Sequence, residues 1–294
     1  MSVLKGVFRQ HPDHPYVALR RQLLDSGALY EALFAPVPAA AGAPEATAAT
    51  VADQLRAWGV GAVQLDRPMT NPEFRAFGAV LGEPQPERSP DVQPLVEEEV
   101  ILNLVTSSPA SSDPARQPFG ANSLSLHSES SGAPPPAQPR YIVLMCLSPG
   151  VDDCASQTLL VSMADVHDAL PESVRDLLTR VRYDLPGDGP TVLRRVDERP
   201  VFSFRDFLDT PLNWTLDAAN SDVPTGRNAV DHALTELYTA MYSQRAHGFR
   251  WRAGLLVVID NTWHFHGRAA GPAPLPGQER HLRRMRIAER GADR

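Results

Sequence analysis

The residues best suited to do chemistry are a His-X-Glu triplet, His127 to Glu129, and a pair of histidines far downstream, His264 and His266. Two histidines and one carboxylate can hold an iron ion on one face and leave its other coordination positions open. The same donors can hold zinc with a bound water, as in metallohydrolases. The residue types therefore indicate a metal site, and with iron they predict oxygen chemistry.

The positions of these residues favour two separate strands. Alternate side chains of a β-strand point the same way, so His127 and Glu129 project together from one strand end. Residues 254–260 form a mostly apolar run that is typical of a buried strand. A third ligand, His264 or His266, follows just past the end of this strand. His264 and His266 share a face, so spacing alone leaves the choice between them open.

The segment around the second pair carries a resemblance. Asp260-Asn261, four further residues and then His266-Gly267-Arg268 resemble the distal-histidine motif of the taurine dioxygenase and clavaminate synthase-like superfamily. The members of that superfamily are iron(II)- and 2-oxoglutarate-dependent oxygenases, and their ligand is the histidine before Gly-Arg. The resemblance therefore implies that His266 is the third ligand and that His264 is a structural neighbour.

Two further segments follow the order of that superfamily. Arg280 lies fourteen positions after His266, where the resemblance implies an arginine that grips the distal carboxylate of 2-oxoglutarate. Arg284 matches a second arginine that lies near the oxoglutarate or the substrate. Thr158 matches the threonine of a Gly-Gly-X-Thr turn, although this chain lacks the two glycines, and it is implied as an oxoglutarate contact. The resemblance covers about residues 55 to 290.

The resemblance implies an enzyme with Fe(II), 2-oxoglutarate and O2. Such an enzyme oxidises, and most often hydroxylates, a C–H bond of a small molecule such as an amino acid or natural-product intermediate, with release of succinate and CO2. Because Glu129 is an acid and not a small residue, halogenation is disfavoured. The alternatives are a zinc-dependent hydrolase on a β-barrel and a non-catalytic cupin-like binding protein. With nine histidines in the chain, a His-X-Glu triplet arises easily by chance, so the prediction depends on all the segments together.

The elements that must position these residues are expected to form a mainly β fold with flanking helices, a double-stranded β-helix or jelly roll. We expect one domain over 1–294, with a helical N-terminal region at about 1–58, a core at 59–294 and an insertion at about 163–250. In the resembled superfamily such an insertion lies over the site and sets substrate selectivity. Arg205 and Trp214 lie in this insertion. They are either substrate contacts or ordinary surface and packing residues.

Local patterns predict the individual elements. Helices are predicted at 16–34, 47–58, 71–81, 163–181 with a break at Pro171, and 229–246. Strands are predicted at 60–65, 100–105, 141–147 and 254–260. The loop at 106–120 is either a lid or a linker, and the loop at 130–139 follows Glu129 closely enough to shape the entrance of a substrate pocket.

Composition limits the remaining function classes. A net charge of −7 and a pI near 5.7 argue against nucleic-acid binding, which requires a basic surface. The two cysteines, Cys146 and Cys154, imply no disulfide framework. No segment approaches the roughly 20 apolar residues that span a bilayer, and the N-terminus lacks the apolar core of a signal peptide. We expect a cytoplasmic protein that acts on a small molecule, with a carboxylate as a candidate feature of that molecule.

Overall fold

The computed structural model describes residues 3–106, 116–151, 156–184, 189–208, 210–217 and 226–291. The predicted lid or linker at 106–120 falls largely outside these residues, and so does Cys154. The α-helices are α1 (Pro15–Asp25), α2 (Pro44–Trp58), α3 (Asn71–Leu81), α4 (Met163–Ala169), α5 (Glu172–Leu178) and α6 (Arg227–Ser243). Short 3-10 turns lie at Pro90–Leu95, Gln117–Phe119 and Pro135–Ala137.

The strands follow in chain order. They are β1 (Val3–Phe8), β2 (Val37–Ala39), β3 (Val60–Leu65), β4 (Glu83–Gln85), β5 (Val96–Glu97), β6 (Ile101–Val105), β7 (Leu124–His127), β8 (Tyr141–Ser148), β9 (Thr158–Ser162), β10 (Val181–Tyr183), β11 (Leu193–Val196), β12 (Arg199–Phe202), β13 (Leu212–Asp217), β14 (Ala246–Phe249), β15 (Leu255–Asp260), β16 (His264–Arg268) and β17 (His281–Ala288).

Two sheets form the centre of the molecule. The major sheet has the order β2-β3-β15-β8-β17-β6-β5, with β4 added at β17, and the minor sheet has the order β14-β9-β16-β7. Apart from the parallel β2–β3 pair, the strand pairs of both sheets are antiparallel. The predicted mainly β architecture with flanking helices, a double-stranded β-helix, is confirmed.

Alternation of apolar side chains explains why the major sheet is buried on both faces. Val257 and Ile259 of β15 belong to the core between the two sheets, together with Leu160 of the minor sheet. Leu256 and Val258 of the same strand belong to a second core under α2 and α3. The apolar run of β15 is therefore continuous because both of its faces are covered.

The minor sheet follows the same rule. Leu126 of β7 and Phe265 of β16 point outward into a third core, which contains residues of α1, α4, α5 and α6. The side chains on either side of Phe265, His264 and His266, consequently point inward. The helices behind the minor sheet thus fix the direction in which the candidate ligand His266 faces.

The region between the two metal-site strands adds a small sheet of order β1-β13-β10 and the hairpin β11-β12. The N-terminal strand β1 pairs with β13 along its whole length, so this end of the chain contributes to the cover of the minor sheet. None of the helices in the part of the chain that the structure describes is long and apolar enough to cross a membrane.

Several element boundaries differ from the prediction. The helix predicted at 16–34 ends at Asp25, because Gly27 follows with a φ of 71° in the left-handed region that stops a helix. The N-terminal 58 residues also contain β1 and β2 and are not purely helical. Thr158 begins β9 and does not lie within a turn. The helix predicted to reach 246 ends at Ser243. A single domain over 1–294 stays a prediction.

Candidate metal centre

His127 and His266 meet because their strands are neighbours in the minor sheet. The two residues are directly opposed in the β7–β16 ladder, and opposed residues place their side chains on the same face. Their ring centroids lie 4.2 Å apart. Glu129 follows two residues after His127, and its Oε2 lies 3.8 Å from Nε2 of His127 and 3.7 Å from Nε2 of His266.

These three side chains fit one metal ion. Their donor atoms all lie within 4.8 Å of one another, and the two histidine–glutamate distances are below the roughly 4 Å that ligand bonds of about 2 Å on either side of an ion can span. Two imidazoles and one carboxylate on one face form the donor set that suits a non-haem iron with open positions. His264 does not join them, because its Nε2 lies 2.9 Å from the carbonyl oxygen of Trp58.

Both imidazoles have the form that binds a metal. Nδ1 of His127 lies 2.8 Å from the carbonyl oxygen of Ser125, a contact that places the proton on Nδ1 and leaves Nε2 free for a metal. Burial, followed by the neighbouring His127, lowers the pKa of His266 to about 4. His266 is therefore neutral at neutral pH, which is the protonation state of a metal ligand.

Glu129 is held in its ionised form by arginines of β17. Burial opposes its ionisation, but Arg284 and the two histidines outweigh that effect, and the pKa of Glu129 lies well below its usual range. A guanidinium nitrogen of Arg284 lies 3.2 Å from the carboxylate of Glu129, and another lies 2.8 Å from the carboxylate of Glu87. Arg286 also contacts Glu87, at 2.8 Å. Glu87, which sequence analysis missed, thus pairs with both arginines behind the candidate ligand.

The Asp-Asn pair of the motif fixes the backbone at Glu129. Oδ1 of Asn261 accepts a hydrogen bond from the Glu129 backbone N–H at 2.7 Å, and its Nδ2 donates to the Glu129 carbonyl at 3.1 Å and to the Pro139 carbonyl at 3.0 Å. Asp260 forms an ion pair with Arg140 at 2.9 Å. The motif therefore joins the end of β15 to the loop that carries the carboxylate ligand.

The three donors line a cavity of about 520 Å³, a size typical of small-molecule sites. One end of the cavity contains Thr158, Arg268 and Arg280. Thr158 and Arg268 are opposed across the β9–β16 ladder, and Arg268 follows His266 by two residues on the same face of β16. This end therefore lies one strand repeat, about 7 Å, from the metal donors.

The two arginines of this end differ in their partners. Arg268 is buried and donates to the backbone carbonyls of Gln117, Pro118, Gly120 and Asn122 at 2.6–3.0 Å. Arg280 is also buried, but its guanidinium has no acceptor among the residues that the structure describes. Burial lowers the pKa of Arg280 to about 10, so it stays cationic at neutral pH.

The other end of the cavity is formed by the segment between the metal-site strands. Arg205, Tyr183 and Phe207 line it, together with residues 130–133 of the loop after Glu129. This places the loop predicted at 130–139 in the cavity wall. Ser130 has a φ of 56°, a strained conformation for a residue other than glycine and one that is common at ligand sites.

The structure thus brings His127, Glu129, His266, Thr158, Arg280 and Arg284 to one cavity. Arg284 lies in the wall with its guanidinium already paired, which sequence spacing did not reveal. Trp214 is fully buried in the core that contains α6 and does not line the cavity, whereas Arg205 does. The residues that sequence analysis missed are Glu87, Arg268 and Tyr183. Of these only Arg268 carried a signal, as the last residue of the His-Gly-Arg motif.

A comparison with protein-family models matches residues 34–286 to the family described as "Taurine catabolism dioxygenase TauD, TfdA family". The matched range includes both metal-site strands and the cavity. A comparison with curated proteins gives no match.

Solved structures share the fold at low sequence identity. PvcB from Pseudomonas aeruginosa is 20% identical, with 83% of this chain and 81% of that chain covered and a TM-score of 0.59. Asparagine oxygenase is 18% identical, with 84% and 83% covered and a TM-score of 0.59. The non-heme iron oxygenase OrfP is 20% identical, with 84% of each chain covered and a TM-score of 0.58.

Proposed function

This chain belongs to the taurine catabolism dioxygenase TauD, TfdA family, and from that premise we propose that it is an iron(II)- and 2-oxoglutarate-dependent oxygenase that hydroxylates a C–H bond of a small molecule. One observation carries the proposal. Three metal donors converge in the same cavity as Arg280, a buried guanidinium with no acceptor among the described residues.

His127, Glu129 and His266 would hold the iron. Iron bound in this way supplies the activation of O2, coupled to oxidative decarboxylation of 2-oxoglutarate to succinate and CO2. Three protein ligands leave positions for the cosubstrate and for O2. Glu129 occupies the carboxylate position, which favours oxygen transfer over halogenation. The contacts of Ser125 with His127 and of Asn261 with Glu129 fix the directions of the donors.

Arg280 and Thr158 would bind the cosubstrate. A guanidinium makes charge-assisted, bidentate contacts with a carboxylate, and a buried guanidinium without a counter-ion is costly. The distal carboxylate of 2-oxoglutarate satisfies both conditions at Arg280, while the Thr158 hydroxyl adds a hydrogen bond. The hydrogen bonds from Arg268 to backbone carbonyls hold residues 117–122 against this end of the cavity.

The names of structurally similar proteins support the proposal. PvcB is described as "an Fe, alpha-ketoglutarate dependent oxygenase". The asparagine oxygenase structure contains Fe(II), 3-hydroxyasparagine and succinate, and OrfP was solved with Fe and alpha-ketoglutaric acid. For this chain we infer the same metal and cosubstrate, and a small-molecule substrate at the end of the cavity opposite Arg280.

An anaerobic titration tests the metal and the cosubstrate together. Addition of Fe(II) and then 2-oxoglutarate to the protein should produce a weak visible charge-transfer band, and His266→Ala should abolish it. A zinc hydrolase or a non-catalytic binding protein gives no such band. Absence of the band in the unsubstituted protein at saturating concentrations of both ligands would overturn the proposed function.

Arg280 can be tested against a nearby arginine, Arg283 of β17. Arg280→Ala should raise the dissociation constant for 2-oxoglutarate by about 30-fold or more, as expected when one partner of a buried charge pair is removed. Arg283 is the matched control, since it contacts the Met69 carbonyl and Glu97 and does not line the cavity. Equal effects of Arg280→Ala and Arg283→Ala would contradict the assignment.

A further inference from the structure

Among the residues that the structure describes, four arginines line the cavity: Arg205, Arg268, Arg280 and Arg284. Arg284 is ion-paired with Glu87 and Glu129, and both terminal nitrogens of Arg268 donate to backbone carbonyls. Within the described ranges, no acceptor contacts the guanidinium of Arg205 or that of Arg280. The cavity thus contains two guanidinium groups, those of Arg205 and Arg280, that have no acceptor among the described residues.

Arg205 faces the candidate metal donors. It forms an antiparallel bridge with His127, and directly opposed residues have their Cβ atoms about 5 Å apart on one face. The backbone on both sides of Arg205 is tied to β7, because the Ser128 N–H donates to the Phe204 carbonyl at 2.8 Å and the Ser125 hydroxyl donates to the Asp206 carbonyl at 3.0 Å. The guanidinium of Arg205 therefore extends from a backbone segment that is held in place beside the candidate metal centre.

A buried ion pair holds the backbone next to Arg205 on the outer side of the minor sheet. Asp206 is 1% exposed, forms an ion pair with Arg20 at 3.0 Å and accepts a hydrogen bond from the Tyr242 hydroxyl at 2.6 Å. The carboxylate next to Arg205 in sequence is thus already occupied on the outer side of the minor sheet. It does not neutralise Arg205 within the cavity.

Two aromatic rings form the wall next to Arg205. Tyr183 and Phe207 pack edge to face with centroids 5.4 Å apart, and both line the cavity. The Tyr183 hydroxyl accepts a hydrogen bond from the Arg205 backbone N–H at 3.0 Å. This end of the cavity therefore combines one cation with an apolar surface.

We propose that Arg205 binds a carboxylate of the substrate, and that the substrates of this enzyme are small carboxylic acids whose carbon skeleton lies along Tyr183 and Phe207. The inference rests on the proposed function, which assigns Arg280 to the cosubstrate. A single planar guanidinium matches one planar, singly charged carboxylate. Arg284, the arginine that the family resemblance associates with the oxoglutarate or the substrate, is held by Glu87 and leaves this task to Arg205.

The experiment compares acids with derivatives in which an uncharged amide replaces the carboxylate. The probes are the proteinogenic L-amino acids, a set of simple aliphatic and aromatic monocarboxylic acids, and the primary amide of each compound. Succinate release is measured with each probe in the presence of Fe(II), 2-oxoglutarate and O2. We expect stimulation by one or more free acids, and at least about 30-fold weaker stimulation by the matching amide.

Variants then assign the effect to Arg205. Arg205→Gln should raise the KM for the best acid by about 30-fold or more and should reduce its preference for the acid over the amide. Arg205→Lys, which keeps the charge, should recover part of both. Arg195→Gln is the matched control, because Arg195 lies on the same insertion with its side chain 63% exposed. All four proteins should show the anaerobic charge-transfer band at the same 2-oxoglutarate concentration, which also shows that the variants are folded.

The outcomes separate the two proposals. If the band forms and the amides stimulate as well as the acids, or if no acid stimulates, the assignment of Arg205 is overturned while the oxygenase remains. Taurine, a sulfonate, is assayed as an additional probe, and stimulation by taurine but by no carboxylic acid would overturn the substrate class. An unchanged KM in Arg205→Gln would overturn the role of the residue. Absence of the band in every protein is the failure of the proposed function itself.

Discussion

The two ends of the cavity are built in different ways. At one end, Thr158 and Arg268 are opposed residues of regular strands in the minor sheet, and Arg280 directly precedes β17 of the major sheet. At the other end, Arg205 and Phe207 lie in an irregular segment that touches β7 through a single bridge and a few hydrogen bonds.

This difference matches the proposed division of work. The cosubstrate and the metal are common to the proposed chemistry, so their residues belong on strands whose mutual positions are fixed by ladders. Substrate selectivity can change without loss of that chemistry when it is placed on a segment added between the strands. The strand residues that hold the metal and the cosubstrate are the fixed centre, and residues 163–250 between the metal-site strands are the added segment. Substitutions in the fixed centre, in the added segment and in the helices behind the major sheet should therefore have different effects.

The largest effect is expected from Asn261→Ala, which acts on the candidate metal centre between the two ends of the cavity. The substitution removes the hydrogen bonds that hold the Glu129 backbone from both sides. Loss of such an outer contact lowers metal affinity by about 10- to 100-fold. Fe(II) titration should show this loss, and activity should recover at high iron concentration.

A buried asparagine outside the cavity provides the control for this substitution. Asn103 is 8% exposed and contacts the Leu95 carbonyl and His281, so Asn103→Ala should lower stability and leave iron affinity unchanged. A fall in the stability of Asn261→Ala with normal iron affinity would show that Asn261 is a structural residue only. In that case the centre is not positioned by the Asp-Asn motif.

The same contrast explains how far the sequence could predict the molecule. Strand alternation predicts that His127 and Glu129 project together, whereas the resemblance to the superfamily implies His266 and Arg280, and both kinds of signal are local patterns. The pairing of Arg284 with Glu87 was not found, because the two residues are distant in sequence and only the packing of β17 brings them together.

The insertion was harder to predict than the strands. The sequence alone does not distinguish substrate contacts from packing or surface residues at Arg205 and Trp214, and the structure places Trp214 in the core. Tyr183 carried no motif, because its role depends on a hydrogen bond to the backbone of another segment. The helix predicted at 16–34 extended too far because apolar periodicity continued past Gly27, whose left-handed backbone ends the helix.

An intermediate effect is expected from Tyr183→Phe, which acts only on the added segment. The substitution removes the acceptor of the partly buried Arg205 backbone N–H but keeps the aromatic wall. An unsatisfied donor costs about 1–3 kcal/mol when it is fully buried, and partial burial together with a local shift of Arg205 should make the cost smaller here. We expect the KM for the best acid to rise by about threefold to tenfold, with an unchanged dissociation constant for 2-oxoglutarate.

Tyr30→Phe is the matched control, because its hydroxyl donates to the Leu23 carbonyl at 2.9 Å and the residue does not line the cavity. It should leave both constants unchanged. If Tyr183→Phe weakened 2-oxoglutarate and the acid equally, the two ends would not be independent, and the comparison between them would fail.

The smallest effect is expected from Glu73→Gln in α3, behind the major sheet. The carboxylate of Glu73 accepts hydrogen bonds from Arg67 and from the backbone N–H of Thr70. These contacts, that with Arg67 first, lower the pKa of Glu73 from 4.5 to about 2. Because the folded pKa is depressed, the stabilisation is complete above about pH 4.5 and is lost as the pH falls towards 2.

Glu73→Gln should therefore lower the melting temperature by about 1–3 °C at pH 7, and the difference from the unsubstituted protein should shrink below about pH 4.5. Glu45→Gln, in the first turn of α2 where no side-chain cap forms, should have a smaller effect at pH 7. Neither substitution should change the KM for the acid or for 2-oxoglutarate, since α2 and α3 pack on the face of the major sheet that points away from the cavity. A change in either KM would mean that α2 and α3 are coupled to the cavity. The division of the molecule into a fixed centre and an added segment would then be incomplete.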